Sequence, residues 1–341
     1  MVRTKIVCTV GPASGSYGVM LKMFKAGMDV ARLNFSHGTR REHLERLALV
    51  RKLNKNYRRA VKLLVDLEGP RVRIGRLPEK GVTLKKNQTL FLTTRPGPAT
   101  DNRIPFDYRG SLRNIKPGHS IFIDDGNINL LVTAVTGSFV KTKVFVPGTV
   151  RSHKGVNIPD ADLKFEGLSA KDRSDTVFAV AIKADFIAQS FVRGPEDIAP
   201  IRKILDGKCS RCKIVAKIEN REGIENIDRI IDAVDGIMIA RGDMGISIPI
   251  FEVPVVQKEI INKCNLRGKF VITATQMLES MTERLIPTRA EVTDVANAVI
   301  DGTDMVMLSG ETAVGRHPDA AVNMMNRILK YTEAYIKRTK K

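Results

Sequence analysis

Short apolar runs alternate with amphipathic segments over the first 66 residues of the chain. Residues 5–10, 28–34 and 61–66 are rich in aliphatic and β-branched side chains, which is typical of buried strands. Between them, residues 19–24 and 40–54 carry apolar side chains at helical spacing. This βαβαβ pattern predicts parallel strands joined by right-handed crossovers.

The pattern changes between about residues 69 and 155. Segments such as 89–93, 120–124, 130–133 and 143–146 are short, alternate apolar and polar residues, and are separated by Asp-Gly and Pro-Gly turns. We therefore expect an all-β module inserted after the third strand.

The β/α alternation then resumes with a helix near residues 169–182 and ends with a helix over about 320–337. Five further strands are predicted between them, at residues 186–188, 213–218, 236–240, 270–273 and 305–308. Three strands before the module and five after it make eight repeats, so the sequence predicts an α/β fold of the (β/α)8 TIM barrel class. The predicted parts are residues 1–69 of the barrel, the inserted β module 70–154, and barrel residues 155–341.

The chain has 341 residues and a formal net charge of +19. Such a charge suits either a polyanion such as nucleic acid or small phosphorylated substrates. There is no Trp, the aromatic fraction is 5%, and the basic residues are spread along the sequence. Because stacking platforms for single strands are lacking, we expect no nucleic-acid partner.

Neither a membrane span nor a secreted disulfide framework fits the sequence. No apolar run approaches the roughly 18 residues needed to cross a bilayer, and the four cysteines are scattered. Cys209 and Cys212 have the spacing of metal ligands, but no second pair accompanies them, so we interpret them as loop cysteines. We expect a cytoplasmic protein with no membrane partner.

The active site of a TIM barrel lies at the carboxyl ends of its strands. Here those ends carry polar side chains, namely Arg32, Asn34, Asp66, Lys217, Glu219, Arg241, Asp243, Thr275 and Glu311. Lys217 and Glu219 lie two residues apart on one strand and so share a face. Glu219 and Asp243 follow neighbouring strands and can share a hard cation such as Mg²⁺. The alternative is an internal salt bridge between Lys217 and Glu219.

Nine motifs, in order along nearly the whole chain, resemble those of the pyruvate kinase family. They are KIVCTVGPAS at 5–14, ARLNFSHG at 31–38, KGVN at 154–157, SFVR at 190–193, AKIEN at 216–220, ARGD at 240–243, ATQMLESM at 274–281, PTRAE at 287–291 and LSGETA at 308–313. The resemblance implies phosphoryl transfer from phosphoenolpyruvate to ADP, which gives ATP and a pyruvate enolate that is then protonated. It also implies that Glu219 and Asp243 hold Mg²⁺ or Mn²⁺ and that Lys217 neutralises the phosphoryl group during transfer.

The same resemblance assigns the groups that bind phosphoenolpyruvate. Arg32 and Arg73 match residues that bind phosphate oxygens. The amides around Gly242 and Asp243, with the hydroxyl of Thr275, match the site that receives the substrate carboxylate. Thr275 also matches a position near the route of proton delivery, where it would act through water.

On the nucleotide side, Asn34, His37 and Lys154 match family positions. The inserted module resembles the family's lid, which closes over the barrel mouth and excludes water. Asp125 matches the substrate-facing acid of that lid.

One family motif is altered here and changes the expected need for K⁺. Asn34, Ser36 and Asp66 match monovalent-cation ligands, but Leu67 stands where the family has a threonine hydroxyl. Arg71 replaces a glutamate that in the family accompanies K⁺ dependence. Because a guanidinium there can supply the positive charge that K⁺ otherwise brings, we expect a K⁺-independent enzyme.

The sequence also stops after the eighth barrel helix, whereas the family normally continues into a C-terminal α/β domain. That domain holds a sugar-phosphate effector site and part of the tetramer interface. We therefore expect no effector site of that kind, and any homo-oligomer to form through barrel faces.

Two other function classes remain open from the residues alone. A Mg²⁺-dependent barrel lyase or aldolase acting on pyruvate enolates also uses a Glu and an Asp at neighbouring strand ends, but it needs neither the module nor Lys154. A basic RNA-binding or regulatory protein could keep the barrel without its catalysis. A binding-shift assay at physiological salt separates the second class from an enzyme.

Overall fold

The structure is a computed structural model that describes residues 3–339 except 58, 96, 166, 207, 209 and 210. The described residues form two compact units. The first unit is drawn from Met1–Gly69, Leu168–Arg241 and Glu252–Lys341, and the second from Pro70–Gly167 and Gly242–Phe251. Among the described helices, none is long and apolar enough to cross a membrane.

The first unit is built on a closed barrel of eight parallel strands among its described residues. They are β1 Lys5–Thr9, β2 Val30–Asn34, β3 Lys62–Asp66, β4 Phe186–Gln189, β5 Lys213–Ile218, β6 Gly236–Ala240, β7 Phe270–Ala274 and β8 Met305–Leu308. Each strand pairs with the next along the chain, and β8 closes on β1 with Cys8 opposite Leu308. The predicted TIM barrel is confirmed.

Helices follow the strands as the alternating pattern predicts. They are α1 Tyr17–Ala26, α2 Arg40–Tyr57, α3 Ala170–Ala181, α4 Pro195–Leu205, α5 Arg221–Glu225, α6 Ile227–Ala233, α7 Arg241–Ser247, α8 Val253–Leu266, α9 Arg289–Asp301, α10 Gly310–Ala313 and α11 Pro318–Thr339. Hydroxyl caps fix several starts, because Ser16, Ser169 and Thr288 each accept a hydrogen bond from the amide three residues on. At Thr288 the Glu291 side chain completes a capping box.

The barrel interior is filled by apolar side chains contributed by every strand. They are Val7, Val30, Leu64, Phe186, Ala188, Val215, Met238, Ile272, Ala274 and Met307. Burying such side chains stabilises the unit by about 1.5–3 kcal/mol each for the larger ones. The polar side chains at the strand ends lie next to this apolar layer.

The described residues of the second unit are all-β apart from a short 3-10 helix and the segment from Gly242. Its seven-stranded sheet has the order Val72–Arg73, Gly155–Asn157, Ser120–Ile123, Ile128–Val135, Phe139–Val146, Thr89–Thr93 and Arg103–Pro105. Val82–Leu84 pairs separately with Gly148–Val150. The unit extends beyond the predicted module of 70–154, because Gly155–Asn157 pairs with two strands of this sheet and Leu163 and Phe165 pack on its core.

Candidate active site

The barrel interior changes from apolar to polar at the carboxyl ends of β1 to β5. Residues two apart on a strand share a face, so the residue two positions after an apolar interior residue also faces the interior. Those residues are Thr9, Arg32, Asp66, Ser190 and Lys217, and all five are buried. The alternation of side chains along the strands therefore places a polar layer next to the apolar layer, at the end of the barrel where TIM barrels carry active sites.

Arg32 is fixed in this layer by two side chains. Its Nε lies 2.7 Å from Oδ2 of Asp66, and its Nη1 donates to Oγ1 of Thr9 at 2.8 Å. The Thr9 hydroxyl in turn donates to the carbonyl of Leu308 at 2.9 Å. These contacts hold the guanidinium in one orientation.

Lys217 occupies the centre of the cluster. Its Nζ lies 3.2 Å from Oδ1 of Asp66 and 3.1 Å from Oε1 of Glu219, and it donates to Oγ of Ser190 at 2.7 Å. The salt bridge between Lys217 and Glu219 that we gave as the alternative interpretation is therefore present. It is one edge of a larger network, because Asp66 connects Lys217 to Arg32.

Asp66 is the carboxylate on which both cations converge. Burial alone raises its pKa, but Lys217 and Arg32 outweigh burial, and the pKa of Asp66 lies below its ordinary value. Asp66 is thus ionised at neutral pH. With Glu219 it balances two cations inside the barrel, which limits the cost of burying four charges.

Glu219 is oriented by the loop after β4. Its Oε2 accepts the amide hydrogen of Phe191 at 2.6 Å, and the residue is 1% exposed. Phe191 has a φ of +56°, a left-handed conformation that is uncommon for a bulky side chain. The strained residue therefore turns its amide toward the carboxylate, a relationship that the sequence pattern did not reveal.

Thr275 follows β7 in an unusual backbone conformation. Its φ is +68°, and Gln276 after it has a φ of +53°. The Thr275 hydroxyl donates to the carbonyl of Ala274 at 2.6 Å. A β-branched residue with positive φ is a genuine outlier, and such strain is concentrated at functional sites.

The residues matched to monovalent-cation ligands have protein partners here. Oδ1 of Asn34 accepts the amide hydrogen of Ser36 at 3.1 Å. Both oxygens of Asp66 face side-chain cations. Leu67 is fully buried, whereas His37, matched to the nucleotide side, is exposed.

Within the second unit, Arg71 lies between two of the predicted acids. Its Nη2 is 3.1 Å from Oδ1 of Asp125 and 3.2 Å from Oδ1 of Asp243. A Cβ on residue 155 would lie 2.5 Å from the same nitrogen, so Gly155 makes room for the guanidinium. Arg71 is thus the positive charge beside both carboxylates.

The other predicted residues of this unit are also placed by polar contacts. Nζ of Lys154 lies 2.7 Å from Oδ1 of Asp124. Nη1 of Arg73 donates to the carbonyl of His153 at 3.0 Å. Gly242 lies in the first turn of α7, directly before Asp243.

The residues matched to a divalent-cation site suit Mg²⁺ in their donor chemistry. Across the described part of the chain, no group of three or more His, Cys, Asp or Glu side chains is arranged to hold a metal. Mg²⁺ does not need one, because it commonly takes one or two carboxylates and completes its octahedron with water and substrate oxygens. Glu219 and Asp243 supply two such hard donors, in the first and second units respectively.

Sequence reasoning missed Ser190 and Thr9 as members of the polar layer. The signal was available, since each lies two residues after an apolar interior residue. Of the two cysteines considered as ligands, Cys212 is buried, and Cys209 lies outside the described residues.

The chain matches the family model described as pyruvate kinase, barrel domain, over residues 1–322. It is 44% identical to a pyruvate kinase of Clostridium perfringens over 98% of this chain and 71% of that relative. It is 46% identical to one from Geobacillus stearothermophilus over 97% of this chain and 57% of the relative. For a pyruvate kinase of Thermococcus litoralis the identity is 45%, over 98% and 70%. The chain thus spans between little more than half and about seven tenths of these relatives' lengths.

Proposed function

The chain belongs to the pyruvate kinase family, and from that premise we propose that it transfers the phosphoryl group of phosphoenolpyruvate to ADP, giving pyruvate and ATP. The observation that carries the proposal is the buried network of Arg32, Asp66, Lys217 and Glu219 at the carboxyl ends of the barrel strands. Phosphoryl transfer needs positioning and charge neutralisation more than covalent chemistry from the protein. Two fixed cations provide both.

Lys217 and Arg32 are proposed as the groups that neutralise the phosphoryl oxygens. Both are held before substrate arrives, so little reorganisation is needed when charge develops in the transition state. Arg73 is proposed as a further phosphate contact. Lys217 lies between the carboxylates of Asp66 and Glu219, which balance its charge when no substrate anion is bound.

Glu219 and Asp243 are proposed to hold Mg²⁺ or Mn²⁺. When bound, such a cation supplies Lewis-acid stabilisation of negative oxygens on the substrate. The amide of Phe191 fixes the orientation of the Glu219 carboxylate. The amides around Gly242 and Asp243 and the hydroxyl of Thr275 are proposed to receive the substrate carboxylate.

Asn34, His37 and Lys154 are proposed to contact the nucleotide, and Asp125 is proposed as the acidic side chain of the lid. Lys154 is the cation among them and is half-exposed, which suits a contact with nucleotide phosphates. We also propose that the enzyme works in the cytoplasm and that any homo-oligomer forms through barrel faces.

We propose further that K⁺ is not required, with Arg71 as the resident positive charge. The support is the position of its guanidinium near Oδ1 of both Asp125 and Asp243. Leu67 adds to this, since an aliphatic side chain cannot coordinate a cation.

The experiment that tests the reaction is ³¹P NMR of the protein with phosphoenolpyruvate, ADP and Mg²⁺. We expect the resonances of phosphoenolpyruvate and ADP to be replaced by the three resonances of ATP. Release of inorganic phosphate with ADP unchanged would contradict phosphoryl transfer to the nucleotide.

A further inference from the structure

The loop after β7 holds two consecutive residues in a left-handed conformation. Thr275 has a φ of +68° and Gln276 a φ of +53°. For residues other than glycine this conformation costs roughly 1–2 kcal/mol each, and more where Cβ is branched. Tertiary contacts must therefore hold the loop, because the residues do not prefer it.

Arg241, the first residue of α7, supplies such contacts from the neighbouring strand end. Its Nη2 donates to the carbonyl of Thr275 at 2.8 Å and lies 2.8 Å from the sulfur of Met277. Its Nε donates to the carbonyl of Ala274 at 3.4 Å. One guanidinium thus contacts three of the four residues from Ala274 to Met277.

Asp294 of α9 anchors the other side of the same guanidinium. Nη1 of Arg241 lies 2.6 Å from Oδ1 of Asp294 and 3.2 Å from Oε1 of Gln257. The Arg241 side chain is only 10% exposed. The carboxylate of Asp294 therefore balances a guanidinium that is largely shielded from water.

The far end of the loop is held independently. Oε1 of Glu311, a fully buried residue, accepts the amide hydrogen of Leu278 at 3.0 Å. The contacts of Arg241 therefore act on the near end, where the two left-handed residues lie. Neither contact is made with the Thr275 hydroxyl, which donates to the carbonyl of Ala274.

We propose that Arg241, anchored by Asp294, is a positioning residue that holds Thr275 in its left-handed conformation, ready for the substrate carboxylate. The inference rests on the proposed function for the role of Thr275. The contact of Arg241 with the Thr275 carbonyl does not depend on that role, so it can be tested without substrate.

The central variant is Asp294→Asn, with Asp301→Asn as the matched control. Asp301 is the last residue of the same helix, and its partner is Lys258 rather than Arg241. In Asp294→Asn we expect faster amide hydrogen exchange in residues 274–281. We also expect kcat for pyruvate formation to fall about tenfold or more, with KM for ADP within about twofold of the original, since small misplacements of a positioned group slow the chemical step. Arg241→Lys should act in the same direction, because lysine cannot span these contacts.

Rescue separates positioning from a general loss of stability. Asparagine tolerates the left-handed region better than glutamine, so adding Gln276→Asn to Asp294→Asn should restore part of the lost kcat. The inference is overturned if Asp294→Asn behaves like Asp301→Asn in hydrogen exchange and kcat. It is overturned equally if kcat falls without faster exchange or without any rescue.

Failure of the proposed function has a different signature. If the original protein forms no pyruvate, the proposed reaction is rejected. Hydrogen exchange in residues 274–281 then still tests whether Arg241 and Asp294 hold the loop. If amide exchange in these residues is unchanged in Asp294→Asn, the positioning role of Arg241 is rejected as well.

Discussion

The ammonium of Lys217 lies 3.2 Å from Oδ1 of Asp66, a carboxylate with no exposed surface. The other oxygen of Asp66 is bound by Arg32, so a single buried carboxylate fixes two cations that come from different strands. Without this carboxylate, Arg32 and Lys217 would repel each other, because like charges interact strongly in a medium of low dielectric constant. Asp66 thus holds together the two cations of the proposed phosphoryl-transfer site.

Replacing Asp66 should cost stability as well as activity. In Asp66→Asn, Arg32 and Lys217 lose their shared countercharge while remaining buried, so the free energy of unfolding should fall by about 3–5 kcal/mol. Chemical denaturation measures it. Glu45→Gln is the control, since it breaks an exposed pair with Arg41 and should cost no more than about 0.5 kcal/mol. Equal losses in the two variants would contradict the account.

Lys217→Met should abolish turnover and leave the fold intact. The unbranched side chain fills a similar volume, while the charge proposed to neutralise the phosphoryl group is lost, and we expect kcat to fall by at least about a thousandfold. The rate of pyruvate formation and the circular dichroism spectrum measure the two effects. Lys258→Met, at an exposed lysine that pairs with Asp301, should keep its activity. Appreciable turnover by Lys217→Met would argue against its role.

The capping box at α9 should add an acid-sensitive contribution to stability. Burial raises the pKa of Glu291, but hydrogen bonds from Ser280 and Thr288 outweigh burial, so the pKa lies below its ordinary value. A lowered pKa in the folded state means that the contribution is complete above the unfolded value, near about 4.3, and is lost as the pH falls through the folded value. The stability difference between the original protein and Glu291→Gln should therefore be constant near neutral pH and shrink below about pH 4. A difference that grows on acidification would refute this.

Arg71→Glu should create a requirement for K⁺. The substitution places a third carboxylate beside Asp125 and Asp243 and removes the cation between them. Activity in sodium buffers should fall at least about tenfold, and added KCl should restore it. Arg71→Lys keeps the charge and should stay independent of K⁺. Loss of activity in Arg71→Glu that KCl does not relieve would exclude the proposed replacement of K⁺ by Arg71.

The barrel could be read from the sequence because its strands are short apolar runs closed by polar or turn residues. The predicted residues 213–218, 236–240 and 305–308 coincide with β5, β6 and β8. Gly155–Asn157 was not foreseen as a strand of the second unit. It has only three residues, too few to show the alternation by which a strand is recognised.

The site was predicted in part. Glu219 directly follows β5, two residues after Lys217, and this spacing alone predicted that the two side chains meet. The contact of Arg241 with Asp294 spans 53 residues and two elements, so no local pattern reveals it. The left-handed conformations of Phe191 and Thr275 were equally hidden, since tertiary contacts impose them on residues that do not favour them.

The most direct test of the central claim is the initial rate of pyruvate formation from phosphoenolpyruvate and ADP with Mg²⁺, in buffers without K⁺. Asp243→Asn is measured alongside, because it removes one proposed cation ligand. We expect turnover by the original protein and its loss in the variant. No pyruvate from the original protein, with or without K⁺, would contradict the proposed reaction.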